Sequence, residues 1–160
     1  MRIEHSFNTT HVYNLYHPDT KHYFMTADIN EFDTLKAQGW HVADQGFRAW
    51  PANGAAPSIA KPVCRFYSHL VNSHFYTASN DECEYLKNSN SGWIYEGIAF
   101  KSLVATAGAC TYGTNPILRL YNDRAAEMDS NHRFVTSESI YHTMISDDWI
   151  GEGVAFCAPN

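Results

Sequence analysis

The chain has 160 residues, with 11 Lys and Arg against 17 Asp and Glu, so its formal net charge is −6 at pH 7. Because it contains no run of basic residues, it lacks the electrostatic footprint of a nucleic-acid-binding protein, and we expect neither nucleic acid nor a membrane as a partner. No apolar stretch approaches the roughly 18 residues that a bilayer-spanning helix needs. The length suits a single self-sufficient domain over residues 1–160.

The sequence is unusually rich in aromatic residues, with 10 Tyr, 9 Phe and 4 Trp. Rings of this size either fill a core or line a binding surface. Their positions along the chain are therefore the main guide to both fold and function.

Two strands are predicted in each of three segments. The first strand is expected at residues 12–16, 63–67 and 117–121, and the second at residues 22–26, 74–78 and 132–136. Each is a short run in which apolar and aromatic residues dominate, which favours a strand, and a turn separates the members of each pair. Each pair is therefore predicted to form a hairpin.

A helix is predicted after each hairpin, because apolar residues recur there at helical spacing, as at Ile29, Phe32 and Leu35. Asp28 with Glu31, and Ser79 with Glu82, have the spacing of a capping box at the helix start. A fourth element, a strand, is expected at residues 45–49, 96–100 and 152–156.

A tryptophan follows each predicted helix, at Trp40, Trp93 and Trp149. These positions suggest anchors that pack helix on strand. Trp50 lies outside this set and is the tryptophan expected to be exposed.

The same markers recur with one period of roughly 50 residues, which indicates internal repeats. The tryptophans after the helices are 53 and 56 residues apart, and His22, His74 and His132 are 52 and 58 apart. We therefore predict a β-rich α+β fold of three strand-strand-helix-strand repeats, at approximately residues 11–52, 62–104 and 116–158. One such unit has too little apolar surface to fold alone, so the three are expected to pack as one pseudo-threefold domain, three-bladed or pinwheel-like. The alternative is a β-trefoil-like arrangement.

The second copy resembles a family of tandem repeats of unknown function, whose consensus is approximately R-x-Y-N, H-F-Y-T, a short helix, G-W and E-G-I-A-F. The matching residues lie at 65–67, 74–77, 92–93 and 96–100. Such repeats occur in secreted or cell-surface proteins, often beside hydrolytic domains. The resemblance implies a non-catalytic extracellular attachment module for peptidoglycan or another polysaccharide, but it assigns no binding residues. The location, secreted or at the cell surface, rests on this resemblance alone.

Polar residues at the same places in each copy suggest contacts between its first and fourth elements. Arg65 with Glu96, and Arg119 with Glu152, are expected to form charge-assisted structural pairs, and Asn14 with Gln45 is the neutral substitute in the first copy.

The three repeated histidines allow three interpretations. They could coordinate a metal ion, fix the start of each second strand, or contact a ligand. We prefer the structural role and expect no metal or cofactor. A ligand surface would combine imidazoles with flat aromatic rings, which suits the hydroxyl and C–H faces of a sugar. The candidate ligand-binding residues are His22, Tyr23, His74, Tyr76, His132, Phe134, Tyr16, Tyr67 and Tyr121.

Cys64, Cys83, Cys110 and Cys157 are spaced like neither a redox CxxC pair nor a zinc finger. Up to two disulfides, with three possible connectivities, and buried free thiols are both open interpretations.

No sequence motif of a hydrolase, metalloprotease, P-loop or dinucleotide-binding enzyme is present, so we do not expect an enzyme. The leading hypothesis is a monomeric carbohydrate or cell-wall binding module, with repeated weak sites that engage a polymer together. The alternative is a protein-interaction module that uses the loops at residues 53–60 and 105–115. A hydrolase with an unrecognised site is a third possibility.

Overall fold

The computed structural model describes residues 7–160, in which the order strand, strand, helix, strand occurs three times. Segment 1 contains β1 (Thr10–Tyr16), β2 (Tyr23–Thr26), α1 (Ile29–Ala37) and β3 (His41–Pro51). Segment 2 contains β4 (Lys61–Ser68), β5 (Ser73–Thr77), α2 (Asn80–Asn88) and β6 (Ile94–Ser102). Segment 3 contains β7 (Thr114–Tyr121), β8 (His132–Val135), α3 (Glu138–Ser146) and β9 (Ile150–Pro159), with a short 3-10 turn at Ala125–Glu127.

Two antiparallel sheets contain these strands. One has six strands in the order β2-β1-β3-β6-β4-β5, and the other has three in the order β8-β7-β9. Segments 1 and 2 share the larger sheet because the end of β3 pairs with β6, Trp50 with Lys101 and Pro51 with Phe100. The predicted β-rich α+β class is therefore confirmed.

Each helix begins at a side chain that accepts backbone N–H groups. Asp28 accepts from the N–H groups of Asn30 and Glu31, and Ser79 accepts from that of Glu82. Ser137 caps α3 in the same way. The return half of the predicted capping box at α1 is absent, because the backbone N–H of Asp28 donates to Thr26 instead and the carboxylate of Glu31 binds Arg65. None of the helices within residues 7–160 is long and apolar enough to cross a membrane.

The central hydrophobic core draws residues from all three segments, because one face of every sheet points to the same interior. Its largest members are Phe47, Tyr76, Phe100, Phe134 and Phe156. Three smaller clusters lie where each helix covers the opposite face of its own strands, and each contains the tryptophan that follows the helix. The prediction that Trp50 is exposed is wrong: it is 4% exposed, because it lies in β3 where that strand meets β6.

Two disulfides add covalent links between parts of the fold. Cys64 in β4 bonds to Cys83 in α2, which fixes that helix on its sheet. Cys110, in the loop after β6, bonds to Cys157 in β9 and so links segment 2 to segment 3. Neither a zinc site nor free thiols therefore involve these four cysteines.

Both disulfides are expected to stabilise the fold, and the one that closes the longer loop is expected to contribute more, because the entropic effect grows with the logarithm of loop length. With sequence separations of 47 and 19 residues, removal should lower the free energy of unfolding by about 4 kcal/mol for Cys110–Cys157 and about 3 kcal/mol for Cys64–Cys83. Urea unfolding of the double variants Cys110→Ser with Cys157→Ser, and Cys64→Ser with Cys83→Ser, measures both values. Unchanged stability in either variant would contradict this ranking.

Candidate functional site

The three hairpins meet at one end of the molecule, where His22 lies between the other two segments. Its Nδ1 is 2.8 Å from the backbone oxygen of Asn72 in segment 2, and its Nε2 is 2.6 Å from Oδ1 of Asp129 in segment 3. A carbonyl and a carboxylate are both acceptors, so the ring satisfies both partners when each of its nitrogens carries a proton. His22 therefore connects all three segments through one buried side chain.

Asn131 makes a second connection of the same kind. Its side chain donates to Oγ of Ser73 at 2.7 Å and accepts from the backbone N–H of Tyr23 at 2.8 Å. Asn131, Ser73 and His22 are all buried, and buried polar groups are stable only when they are hydrogen-bonded. We call His22, Ser73, Asp129 and Asn131 the hairpin junction.

A cleft of about 290 Å³ opens beside this junction, between segments 1 and 2. The residues that border it are one tryptophan, three histidines, two amide residues and three hydroxyl residues, and they include neither Asp nor Glu. We call it the hairpin cleft, and its lining residues are His17, Thr20, His22, Tyr23, Gln38, Trp40, Asn72, Ser73 and His74.

Trp40 and His17 reach this cleft because of how α1 ends. The backbone N–H of Trp40 donates to the carbonyl of Leu35 at 3.0 Å, which turns the chain back over the helix end. The Trp40 ring packs on Phe24 with centroids 5.9 Å apart, and the His17 ring meets it edge-on at 5.2 Å. An aromatic plane is thereby held next to hydrogen-bonding groups.

His74 is fixed on the opposite wall by three neighbours. Its Nε2 is 3.2 Å from Oε1 of Glu96, and its ring packs on Tyr67 at 4.8 Å and edge-on to Phe24 at 4.6 Å. His74 therefore meets the cleft in one orientation.

His132 has the corresponding environment in segment 3, although it lies outside the hairpin cleft. Its Nε2 is 3.3 Å from Glu152, and its ring stacks on Tyr121 at 4.9 Å. Both histidines thus combine an acidic partner with a tyrosine face.

The two glutamates beside these histidines are held as anions. The pKa of Glu152 is lowered from its ordinary value mainly by the hydrogen bond from His132, and the charges of His132 and Arg119 lower it further, while burial opposes them. For Glu96, burial is the largest effect and raises the pKa, but His74 and Arg65 together outweigh it and lower the pKa.

The structure places the two predicted arginine pairs in contact. Nε of Arg65 donates to Glu96 at 2.8 Å, and Nε of Arg119 donates to Glu152 at 2.7 Å. Arg65 has a further partner that the sequence did not indicate, Glu31 of α1.

The predicted pairing of Asn14 with Gln45 is wrong. Asn14 donates to Oδ1 of Asp44 at 2.9 Å, because register shifts on both sides of Asn14 bring Asp44 opposite it. Asp44 also accepts from Arg133 of segment 3 at 3.1 Å. The cation that binds this carboxylate of segment 1 therefore comes from segment 3.

Three predicted ligand-binding residues are buried. Tyr76 and Phe134 are each 2% exposed in the core, because alternate residues of a strand face opposite sides. The hydroxyl of Tyr76 bonds to the backbone of Met25, and burial raises its pKa above the ordinary value. His22 is enclosed by the hairpin junction, although its residue borders the hairpin cleft. The prediction of an exposed ligand surface is wrong for Tyr76, Phe134 and His22.

Of the remaining candidates, Tyr23 and His74 line the hairpin cleft. Tyr16, Tyr67, Tyr121 and His132 are partly exposed but lie outside it. Sequence reasoning missed the other six lining residues, which are His17, Thr20, Gln38, Trp40, Asn72 and Ser73. These residues lie at or beside the turns of two hairpins and at the end of α1, where no periodic pattern of side chains marks them.

A metal site on the repeated histidines has no structural counterpart. Within residues 7–160, no group of three or more His, Cys, Asp or Glu is placed to hold a metal ion. The repeated histidines instead face carboxylates, one for each ring.

Comparison with protein families matches residues 11–159 to the family described as a domain of unknown function, DUF5648. The match covers nearly the whole chain, so the chain belongs to this family. No curated protein and no solved structure matches the chain.

Replacing Glu152 by Gln is expected to lower the free energy of unfolding at neutral pH by about 1–2 kcal/mol, since partly exposed charge-assisted hydrogen bonds contribute about that much. The folded-state pKa of Glu152 lies below its ordinary value of 4.5. Its contribution is therefore complete above that value and is lost as the pH falls through the folded-state pKa. The difference between parent and variant should shrink in acid.

Urea unfolding at about pH 7 and about pH 3 measures this change. Glu84→Gln is the matched control, because Glu84 forms an exposed pair with Lys87 on the same helix, so this substitution should change stability less than Glu152→Gln. A Glu152→Gln deficit that stays constant between the two pH values would contradict the assignment.

Proposed function

We propose that this chain is a non-catalytic glycan-binding domain and that the sugar lies in the hairpin cleft. The observation that carries the proposal is the arrangement of Trp40 beside imidazole, amide and hydroxyl groups in one cleft. A pyranose presents an apolar C–H face and a rim of hydroxyls, so it fits an aromatic plane bordered by hydrogen-bonding groups.

Preorganisation supports this function. Trp40 is packed on Phe24, and His74 is held by Glu96 and Tyr67. Side chains that are already fixed lose little conformational entropy when a ligand arrives. The hairpin cleft therefore has rigid walls, which suits recognition of a weakly hydrophobic ligand.

The absence of carboxylates from the cleft lining favours binding over hydrolysis. A glycosidase needs two carboxyl groups that face one substrate. The described residues that line the hairpin cleft include neither Asp nor Glu. Glu96 lies behind His74 and is held as an anion by its partners.

The three segments are proposed to be diverged copies around a common axis, in a pinwheel rather than a β-trefoil. The shared core and the meeting of the three hairpins support this arrangement. The copies would provide unequal sites. Trp149 of segment 3 packs edge-on against Tyr23 of segment 1 at 5.9 Å. The surface beside this tryptophan is therefore covered, whereas the corresponding surface beside Trp40 is open.

We further propose that the protein acts outside the cell, secreted or at the cell surface. Two disulfides fit an extracellular protein, because such bonds persist in oxidising compartments. Peptidoglycan or another wall polysaccharide is then the polymer to be tested first, with the domain acting as a monomer.

A second candidate function, protein interaction, is favoured by a groove of about 810 Å³ at the other end of the strands. Its apolar lining residues are Phe7, Trp50, Pro57, Ile59, Leu103, Tyr112 and Pro159. Ile59 and Tyr112 are highly exposed, and they lie in the two loops at residues 53–60 and 105–115. We call this surface the loop groove.

Retention of the purified domain on insoluble peptidoglycan, chitin and cellulose tests the glycan proposal. Trp40→Ala should weaken binding to the retaining polymer by about tenfold or more, because it removes the stacking plane. Tyr112→Ala is the matched control, since it removes an exposed aromatic ring of the loop groove and should leave retention unchanged.

Circular dichroism of both variants establishes that the fold is retained. Equal retention of the parent and Trp40→Ala would contradict the hairpin cleft as the site. Loss of retention in Tyr112→Ala, with Trp40→Ala unaffected, would instead favour the loop groove.

A further inference from the structure

All three guanidinium nitrogens of Arg65 donate hydrogen bonds at the boundary between segments 1 and 2. Its Nε donates to Glu96, and its two terminal nitrogens donate to the two oxygens of Glu31 at 2.8 and 3.0 Å. The guanidinium also lies over the ring of Phe24, with 5.0 Å from Cζ to the ring centroid. The carboxylate of α1 therefore closes this boundary.

Arg119 has the corresponding place in segment 3, because it lies two residues before Tyr121 as Arg65 lies two residues before Tyr67. Arg65 binds two carboxylates, whereas Arg119 binds one. Its Nε donates to Glu152 at 2.7 Å, and its Cζ lies 5.9 Å from the ring centroid of Phe75 in segment 2. Among residues 7–160, no side chain or carbonyl accepts a hydrogen bond from its two terminal nitrogens. Its side chain is 27% exposed, against 16% for Arg65.

Glu82 has the place in α2 that Glu31 has in α1, the third residue after the cap. Glu31 binds Arg65, whereas Glu82 forms no ion pair with any residue in the described part of the chain. Arg119 and Glu82 instead line one cleft of about 460 Å³ between segments 2 and 3. The Arg65–Glu31 ion pair thus closes the boundary between segments 1 and 2, whereas the corresponding boundary between segments 2 and 3 is open.

The rest of this cleft is lined mainly by apolar residues, most of them small, with two hydroxyl residues among them. The alanines and valines of this wall are Ala78, Val104, Ala105, Val154 and Ala155. We call it the Arg119 cleft. Its volume lies within the range of small-molecule sites, and it offers a two-donor cationic edge, an anionic acceptor and a surface of methyl groups.

We propose that the Arg119 cleft is a second binding site, for a small zwitterionic peptide or amino acid with small aliphatic side chains. The ligand carboxylate accepts hydrogen bonds from the two terminal nitrogens of Arg119, in the way that the Glu31 carboxylate does at Arg65. The ligand ammonium group lies towards the carboxylate of Glu82. Methyl side chains contact the alanine and valine wall.

The opposite charges of Arg119 and Glu82 select for a ligand that carries both a carboxylate and an ammonium group. An inorganic anion satisfies Arg119 but leaves Glu82 opposed to a like charge, which disfavours it. A neutral sugar leaves the two terminal nitrogens of Arg119 and the carboxylate of Glu82 without a charged partner. The site is separate from the hairpin cleft and shares no lining residue with it.

The test is a ¹H–¹⁵N NMR titration of the whole chain with the dipeptide alanyl-alanine. Saturable shifts are expected at the amides of Ala78, Ala105, Val154 and Ala155. Blocking either end of the probe, as N-acetyl-alanyl-alanine or as alanyl-alanine amide, should weaken binding about tenfold or more, because each removes one charged contact. Inorganic phosphate should bind more weakly than the dipeptide.

Glu82→Gln isolates the ammonium contact, and its exposed helix position keeps the fold intact. It should weaken alanyl-alanine about tenfold but should not weaken N-acetyl-alanyl-alanine, which has no ammonium group to lose a partner. Glu84→Gln, on the same helix and outside the cleft, should alter neither probe. Arg119→Lys retains the charge beside Glu152 but removes the two-donor edge, so it should weaken both probes.

Three results would overturn the proposal. One is the absence of saturable shifts around the cleft, and the second is equal affinity for the free and the end-blocked dipeptides. The third is equal weakening by Glu82→Gln and Glu84→Gln. The glycan pull-down is independent of all three, because Glu82 lines the Arg119 cleft and not the hairpin cleft, so Glu82→Gln should leave retention on the polymer unchanged.

Discussion

The buried hydrogen bonds of the hairpin junction are the constraint on which the relative positions of the segments depend. Asn131 binds both other hairpins, and His22 bridges Asn72 and Asp129. Polar groups removed from water destabilise a fold unless every partner is present. The three segments therefore satisfy these groups together or not at all, and no single segment can bury them alone.

Two features follow from this junction. The inner sheet faces meet in one core, where Phe100 of segment 2 packs against Phe47 of segment 1 and Phe156 of segment 3, so the segments share one hydrophobic interior. The hairpin cleft also exists because Asn72 and His74 of segment 2 are held beside Trp40 of segment 1. The boundaries between segments differ in their ion pairs. Glu31 of segment 1 binds Arg65 of segment 2, and Asp44 of segment 1 binds Arg133 of segment 3. The cleft at Arg119 is left open.

The elements could be predicted from the sequence because period-two and helical patterns are local properties of the chain. Every predicted strand and helix overlaps an observed one. The contacts of Arg65 and Arg119 followed from residues that change together between segments. The partner of Asn14 could not be predicted in this way, because a bulge shifts the register of the strand and Asp44 replaces Gln45 as its neighbour. The face of Tyr76 and the cleft residues in the turns depend on how segments meet, which no local pattern encodes.

The most direct measurement of where a glycan binds is the ¹H–¹⁵N spectrum of the chain during titration with soluble fragments of peptidoglycan, chitin and cellulose. The indole N–H of Trp40 and the amides of Asn72 and His74 should shift saturably with at least one of them, because these groups line the hairpin cleft. Shifts confined to Ile59 and Tyr112 in the loop groove, or no saturable shift with any of the three, would contradict a glycan site where the hairpins meet.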